Sequence, residues 1–123
     1  MHVGLDLIEI ERVARALQRH PRFIERCFTE EERSYCLSRR NPAQHFAARF
    51  AGKEAIGKAL GCGSEWMWRD IGIGGRPKPA VTLSGRPAEF AARLGATAID
   101  LSMTHSKGMA AAVAVISVGE APA

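Results

Sequence analysis

Arg49-Phe50-Ala51-Gly52-Lys53-Glu54-Ala55-Ile56-Gly57-Lys58-Ala59-Leu60-Gly61 is the stretch on which the fold turns. It forms most of a helix predicted over residues 42–60. Asn41-Pro42 opens that helix, because proline suits a first turn, and Gly61 closes it. Phe46, Phe50, Ile56 and Leu60 give it a buried stripe. Glu54 and Lys58 are four residues apart and share a face, while Arg49 and Lys53, also four apart, occupy an adjacent stripe. Routine pairing on a solvated helix accounts for such charges in most sequences. Here the charges flank Phe46 and Phe50, and Ala47, Ala51 and Gly57 leave room for a ligand to approach. A carboxylate among three cations suits a site for phosphate and a divalent metal, the carboxylate holding Mg²⁺ and the cations neutralising phosphate oxygens.

Working outward toward the N-terminus, Thr29 followed by Glu30, Glu31 and Glu32 is a capping box, so a helix is predicted to start near residue 30. Residues 9–19 read as a helix with Ile10, Val13, Ala14 and Leu17 on one face and Arg12, Arg15 and Arg19 on the other. Residues 2–8 alternate Val3, Leu5 and Leu7 with His2, Gly4 and Asp6, a strand pattern. Toward the C-terminus, 61–64 is a loop, and 69–73 and 79–83 read as short strands joined by Gly74-Gly75-Arg76-Pro77. Ser84 is placed to cap a helix over 85–94, with Phe90 and Leu94 inward and Gly95 as its stop. Two longer strands, 98–104 and 109–118, follow, linked by a tight His105-Ser106-Lys107-Gly108 turn. The class is α+β, an antiparallel sheet with helices packed on one face. Residues 1–118 form one domain and 119–123 a short tail.

A chain of 123 residues suits one domain with a real core. Hydrophobic residues at 46% and charged residues at 24% are ordinary for a soluble globular protein. No apolar run approaches the roughly 20 residues that span a bilayer, and the first residues carry no secretory pattern. Cys27, Cys36 and Cys62 fit neither a zinc spacing nor a disulfide framework, so reduced thiols in a cytoplasm are expected. Net charge is +4, and thirteen of the seventeen basic residues are arginine. Arg12, Arg15, Arg19, Arg22 and Arg26 fall in one early stretch, which favours an anionic partner, although a solvated helix face explains any single one of them.

Two further residues stand out. Asp6 interrupts the apolar run Val3-Gly4-Leu5-Asp6-Leu7-Ile8. It is either a metal ligand or base, or a strand end facing water. His105 lies at a strand end amid hydroxyls, beside a turn holding Gly108, where loops carry sites. Two separated acids suit Mg²⁺ with substrate phosphates, and the absence of a Walker loop or Gly-x-Gly-x-x-Gly argues against a standard nucleotide fold.

Taken in order, Gly4-Leu5-Asp6-Leu7-Ile8-Glu9-Ile10-Glu11-Arg12, the 49–61 stretch and Leu101-Ser102-Met103-Thr104-His105-Ser106 resemble the holo-acyl-carrier-protein synthase family of phosphopantetheinyl transferases. Phe28-Thr29-Glu30-Glu31-Glu32 and Gly75-Arg76-Pro77 also fit. The resemblance spans nearly the whole chain. It implies transfer of the 4′-phosphopantetheine of coenzyme A to a serine of an apo-acyl carrier protein, with Mg²⁺, releasing 3′,5′-ADP and supporting fatty acid or polyketide synthesis. Asp6 and Glu54 would be the Mg²⁺ ligands, and Glu54 or a metal-bound water the base. Lys58 would contact the coenzyme A phosphates, and Arg49 and His105 the phosphate at its adenosine end. Arg12, Arg19 and Arg22 would meet the acidic carrier protein. The family forms trimers with active sites at subunit interfaces. The strands 98–104 and 109–118 support the same expectation, because they are apolar on both faces and one helical layer covers only one. Gly52 stands where alanine or serine is more usual, Gly57 costs up to about 1 kcal/mol of helix propensity, and Trp66 and Trp68 line the cofactor site or cover the core. Two rivals stand beside this reading: a basic nucleic-acid-binding domain, which lacks stacking aromatics on its strands, and a Mg²⁺-dependent phosphohydrolase using Asp6 and Glu54.

Overall fold

The computed structural model describes residues 1–63, 66–75 and 78–119. Strand β1 (His2–Glu9) runs directly into helix α1 (Ile10–Arg19), followed by a short helix α2 (Phe23–Cys27) and by α3 (Glu30–Leu37). The long helix α4 (Pro42–Leu60) leads through a single 3-10 turn at Trp68–Asp70 to β2 (Ile71–Gly74) and β3 (Ala80–Leu83). Helix α5 (Gly85–Leu94) and strands β4 (Ala96–Ser106) and β5 (Met109–Val118) complete the chain. The strands form two separate antiparallel sheets, one ordered β1-β5-β4 and the other pairing β2 with β3. The α+β expectation holds at this level.

Helix α4 is the centre of the molecule. Its Ala51, Ala55, Ile56, Ala59 and Leu60 pack with Leu101, Ala112, Ala114 and Ile116 of the sheet in one apolar cluster. Its Phe46, Ala47 and Ala48 join Val13, Cys27, Phe28 and Cys36 in a second. It begins with Pro42 in the first turn, and Gly61 closes it in the left-handed region at φ 75°. Gly4 is where β1 crosses it. A Cβ at that position would stand 1.9 Å from the Ala55 carbonyl oxygen, so only glycine lets strand and helix meet this closely. The β4–β5 hairpin turns on Lys107 and Gly108, both with positive φ, as a two-residue turn that matches strand twist requires. Gly108 accepts a 2.8 Å hydrogen bond from the Ile10 amide, which ties that turn to the start of α1.

Several local expectations are corrected. Helix α2 carries too short an apolar signal to be anticipated. The residues read as the start of a strand at 69–73 form the 3-10 turn instead, and β2 begins at Ile71. Ser84 occupies the N-cap position of α5 but does not cap it with its side chain; its hydroxyl lies within 3.4 Å of Asp70 Oδ1. Gly119, assigned to the tail, donates a 2.9 Å bond to the Gly95 carbonyl. The rest of the tail, 120–123, and Arg76-Pro77 of the expected turn lie outside the described residues.

Helices cover one face of the β1-β5-β4 sheet only. Register pairs Val3 with Val115, Leu5 with Val113 and Leu7 with Ala111, all on the opposite face. There Val3, Leu5 and Leu7 are 66%, 64% and 64% exposed. Single exposed apolar residues are normal, but a contiguous stripe is not.

Candidate active site

The crossing of β1 over α4 brings the two acids of the sequence reading together. Asp6 follows Gly4 by two residues, so it shares the inward face of β1 and points at α4. Lys58, one turn beyond Glu54 on α4, reaches back to Asp6 Oδ1 at 3.0 Å and to the Leu5 carbonyl at 3.0 Å. Lys58 is half exposed and Asp6 mostly covered, at 53% and 17%. Glu54 is half-buried beside them. Burial raises its pKa above the ordinary carboxylate value, the Asp6 charge raises it further, and Lys58 opposes both. Two carboxylates facing one cation at a partly covered crossing repel each other, and a divalent cation between them would relieve that repulsion. Among the described residues no group of three or more His, Cys, Asp or Glu forms a metal cage. A pair of acids plus substrate oxygens is the usual manner of holding Mg²⁺, so the donor set fits that ion.

A second cluster lies along α4 toward its start. Arg49 and His105 border one cavity of about 470 Å³, with Tyr35, Arg39, His45 and Thr104. Arg49 is buried, and its guanidinium lies 4.2 Å above the Tyr35 ring. His105 is exposed and sits 2.9 Å from the Gln44 side-chain amide nitrogen, which donates to Nε2. Arg49 and His105 thus line the same cavity. Tyr35, Arg39 and His45 are lining residues that the sequence did not reveal. Tyr35 lies in α3 and Arg39 just after it, and no helical or strand period links these two to Arg49. His45 is one turn before Arg49 on α4, and that four-residue spacing was the signal that could have found it.

Lys53 is the main correction. The sequence groups it with Arg49 and Lys58 as a phosphate-neutralising cation, but its side chain is fully buried and pairs with Glu32 at 2.8 Å. Its ammonium also donates to the carbonyls of Trp68 and Ile71. Glu32 in turn accepts from the amides of Thr29, at 2.7 Å, and Ile73, at 2.9 Å. The capping-box glutamate therefore serves a second purpose, joining α3, α4 and β2 through a buried charge. Burial lowers the Lys53 pKa and Glu32 opposes that shift. Of the three cations near Glu54 in sequence, only Lys58 stands with it in space.

The tryptophans also find places. The Trp66 indole packs over Gly57, where an added Cβ would meet it at 3.2 Å, which accounts for a glycine inside a helix. Trp68 stacks on Phe50, with centroids 4.3 Å apart. Cys27, Cys36 and Cys62 are free and buried, and burial raises all three pKa values, that of Cys36 to about 12. They are not nucleophiles at neutral pH. Arg12, Arg19 and Arg22 are exposed, and Arg19 and Arg22 border a surface cavity of about 560 Å³ with Phe23 and Arg26. No helix among the described residues is long and apolar enough to cross a membrane.

Comparison with known proteins places the chain in a family. Residues 2–114 match the family model of the 4′-phosphopantetheinyl transferase superfamily. Holo-[acyl-carrier-protein] synthase of Moorella thermoacetica is 46% identical over 121 residues, covering 94% of this chain and 93% of its own. The Chlamydia felis enzyme of the same name is 45% identical over 121 residues, covering 95% and 97%. Among solved structures, the Helicobacter pylori holo-[acyl-carrier-protein] synthase in complex with coenzyme A superposes with a TM-score of 0.80 at 32% identity, covering 94% of this chain and 99% of that one. The Bacillus anthracis synthase in complex with coenzyme A (3′,5′-ADP) does so with a TM-score of 0.77 at 31% identity, covering 96% of each. The chain is an enzyme of the 4′-phosphopantetheinyl transferase superfamily and belongs within it to the holo-[acyl-carrier-protein] synthases.

Proposed function

We propose that the enzyme transfers the 4′-phosphopantetheine arm of coenzyme A to a serine of an acidic apo-acyl carrier protein in a Mg²⁺-dependent reaction, releasing 3′,5′-ADP. The observation that carries this reading is the meeting of Asp6, Glu54 and Lys58 at the crossing of β1 and α4. Asp6 and Glu54 are the residues that would hold Mg²⁺, and the ion supplies charge neutralisation at the pyrophosphate. Lys58 exchanges its bond to Asp6 for the phosphate oxygens and stabilises the charge that grows on the departing 3′,5′-ADP. The serine oxygen bonds to the β-phosphorus as the bond from that phosphorus to the bridging oxygen of the leaving group breaks. Glu54, whose proton affinity is raised by burial and by Asp6, accepts the serine proton directly or through water. Arg49 and His105 bind the phosphate at the adenosine end, and Arg12, Arg19 and Arg22 bind the carrier's acidic surface.

The active enzyme is a homotrimer with sites between subunits. Two features support this. The bare Val3, Leu5 and Leu7 stripe continues across Val113 and Val115 and calls for a second copy. Arg49 and Glu54 are five residues apart on one helix, about 140° around its axis, so the two halves of the site face different directions on a single chain. Incubating an apo-carrier protein with coenzyme A, Mg²⁺ and this protein, then weighing the intact carrier, tests the activity. A gain of one phosphopantetheine is expected. An unchanged carrier, or phosphate released from coenzyme A without carrier, overturns the reading, the latter in favour of a hydrolase.

A further inference from the structure

The cavity beside Arg49 raises a question that the pairing of Arg49 with an anion does not answer: what holds the guanidinium in place before the anion arrives. Arg49 is buried, and its Nε has no hydrogen-bond partner. No ion pair joins it to a carboxylate among the described residues. A buried cation without such a partner is costly. Its contact is with an aromatic face. The Arg49 guanidinium carbon lies 4.2 Å from the Tyr35 ring centroid, and that of Arg39 lies 5.5 Å from the same centroid. The His45 ring meets Tyr35 edge-on at 5.7 Å with planes at 90°, which restrains the tyrosine in turn. Tyr35 comes from α3, whose position is fixed by the Glu32–Lys53 pair one turn earlier. A carboxylate in the place of Tyr35 would fix the arginine equally well, but it would neutralise the charge and repel an incoming phosphate. A π-face holds the cation and leaves its donors unspent.

We propose that Tyr35 is a positioning residue, its ring holding the Arg49 guanidinium, with Arg39 beside it, poised to receive the phosphate at the adenosine end of coenzyme A. This rests on the assignment of Arg49 to that phosphate made above.

The test compares coenzyme A with dephospho-coenzyme A, which lacks that phosphate, in steady-state transfer by Tyr35→Leu and Tyr35→Phe. A cation–π contact of this kind corresponds to about threefold to thirtyfold in binding. Tyr35→Leu should therefore raise the KM for coenzyme A by that factor with kcat within about twofold, and leave the KM for dephospho-coenzyme A near that of the wild type. Tyr35→Phe, which keeps the ring face, should track the wild type with both substrates. If the leucine variant does not fold, Tyr35→Met serves the same comparison. An equal rise for both substrates reduces Tyr35 to a packing residue, and no rise with either removes it from the site; both results overturn the proposal. Arg49→Ala separates this from the reading beneath it. If that variant still prefers coenzyme A over its dephospho form by the wild-type margin, the phosphate assignment itself fails. If Arg49→Ala loses the preference while Tyr35→Leu keeps it in full, only the role of Tyr35 falls.

Discussion

Replacing Lys53 with methionine keeps the apolar stem of the side chain in the core and removes only the charge and its three hydrogen bonds. Lys53 and Glu32 are both fully buried, so water cannot take over for either. Losing one member of a buried pair costs about 3–5 kcal/mol. Two effects act in opposite directions here. Glu32 retains the Thr29 and Ile73 amides as donors, which lowers the penalty. The carbonyls of Trp68 and Ile71 lose a donor, which raises it. A loss of about 3–4 kcal/mol per chain is expected. With an unfolding entropy of about 2.1 cal/mol/K per residue, 123 residues give about 0.26 kcal/mol/K, so the melting temperature should fall by about 12–15 °C. Thermal melts followed by tryptophan fluorescence would read it, since Trp68 supplies one of the carbonyls. Glu32→Gln and the double variant complete a cycle. The double variant should be less damaged than the two single losses sum to, by about 1–3 kcal/mol. A single-variant loss under about 1 kcal/mol, or strict additivity, would refute the view that this pair fastens α3 and β2 to α4.

Glu54→Gln should abolish transfer yet stabilise the free protein at neutral pH. Because the folded-state pKa of Glu54 is raised, its favourable contribution is fully present below its ordinary value near 4.5 and is lost as pH rises through the raised one. The melting-temperature advantage of the glutamine variant should therefore be seen at pH 7.5 and vanish near pH 4; an advantage of the same size at both would mean that charge is not the cause. Arg12→Glu and Arg22→Glu should weaken carrier binding and slow association while leaving coenzyme A affinity unchanged in calorimetry, since rim charges act through steering; an equal loss of coenzyme A binding assigns them to the cofactor. Leu5→Asp, on the bare sheet face, should convert a trimer to a lower-mass species by light scattering and lose activity with it. A wild-type chain of about 13.3 kDa in solution, fully active, would sink the shared-site assembly.

The elements with strong local grammar were legible in the sequence. The bounds of α4 follow from Pro42 and Gly61, and the start of α3 follows from Thr29 and Glu32, because caps are chemistry between near neighbours. The pairing of Asp6 with Lys58 was within reach because an acid inside an apolar strand needs a partner. Lys53 was misread for the complementary reason. Its spacing from Arg49 matches a solvated face, and its burial depends on Glu32, twenty-one residues earlier in another helix. Tyr35 escaped notice in the same way, since a single aromatic in a short charged helix carries no period. The two-sheet division was hidden as well, because strand pairing between β1 and β5 joins the two ends of the chain.

Gly4 carries a consequence beyond packing. The reach of Lys58 to Asp6, and the nearness of Asp6 to Glu54, depend on a strand lying against the backbone of a helix at a distance that one methyl group would forbid. The geometry of the charged crossing is thus set two residues away from the acid it serves, by an atom that is missing. Such a position has no gradual alternatives. Every side chain larger than hydrogen pushes β1 outward and widens the crossing, so a library of variants at residue 4 should fall into two groups rather than a graded series, with glycine alone in the active one.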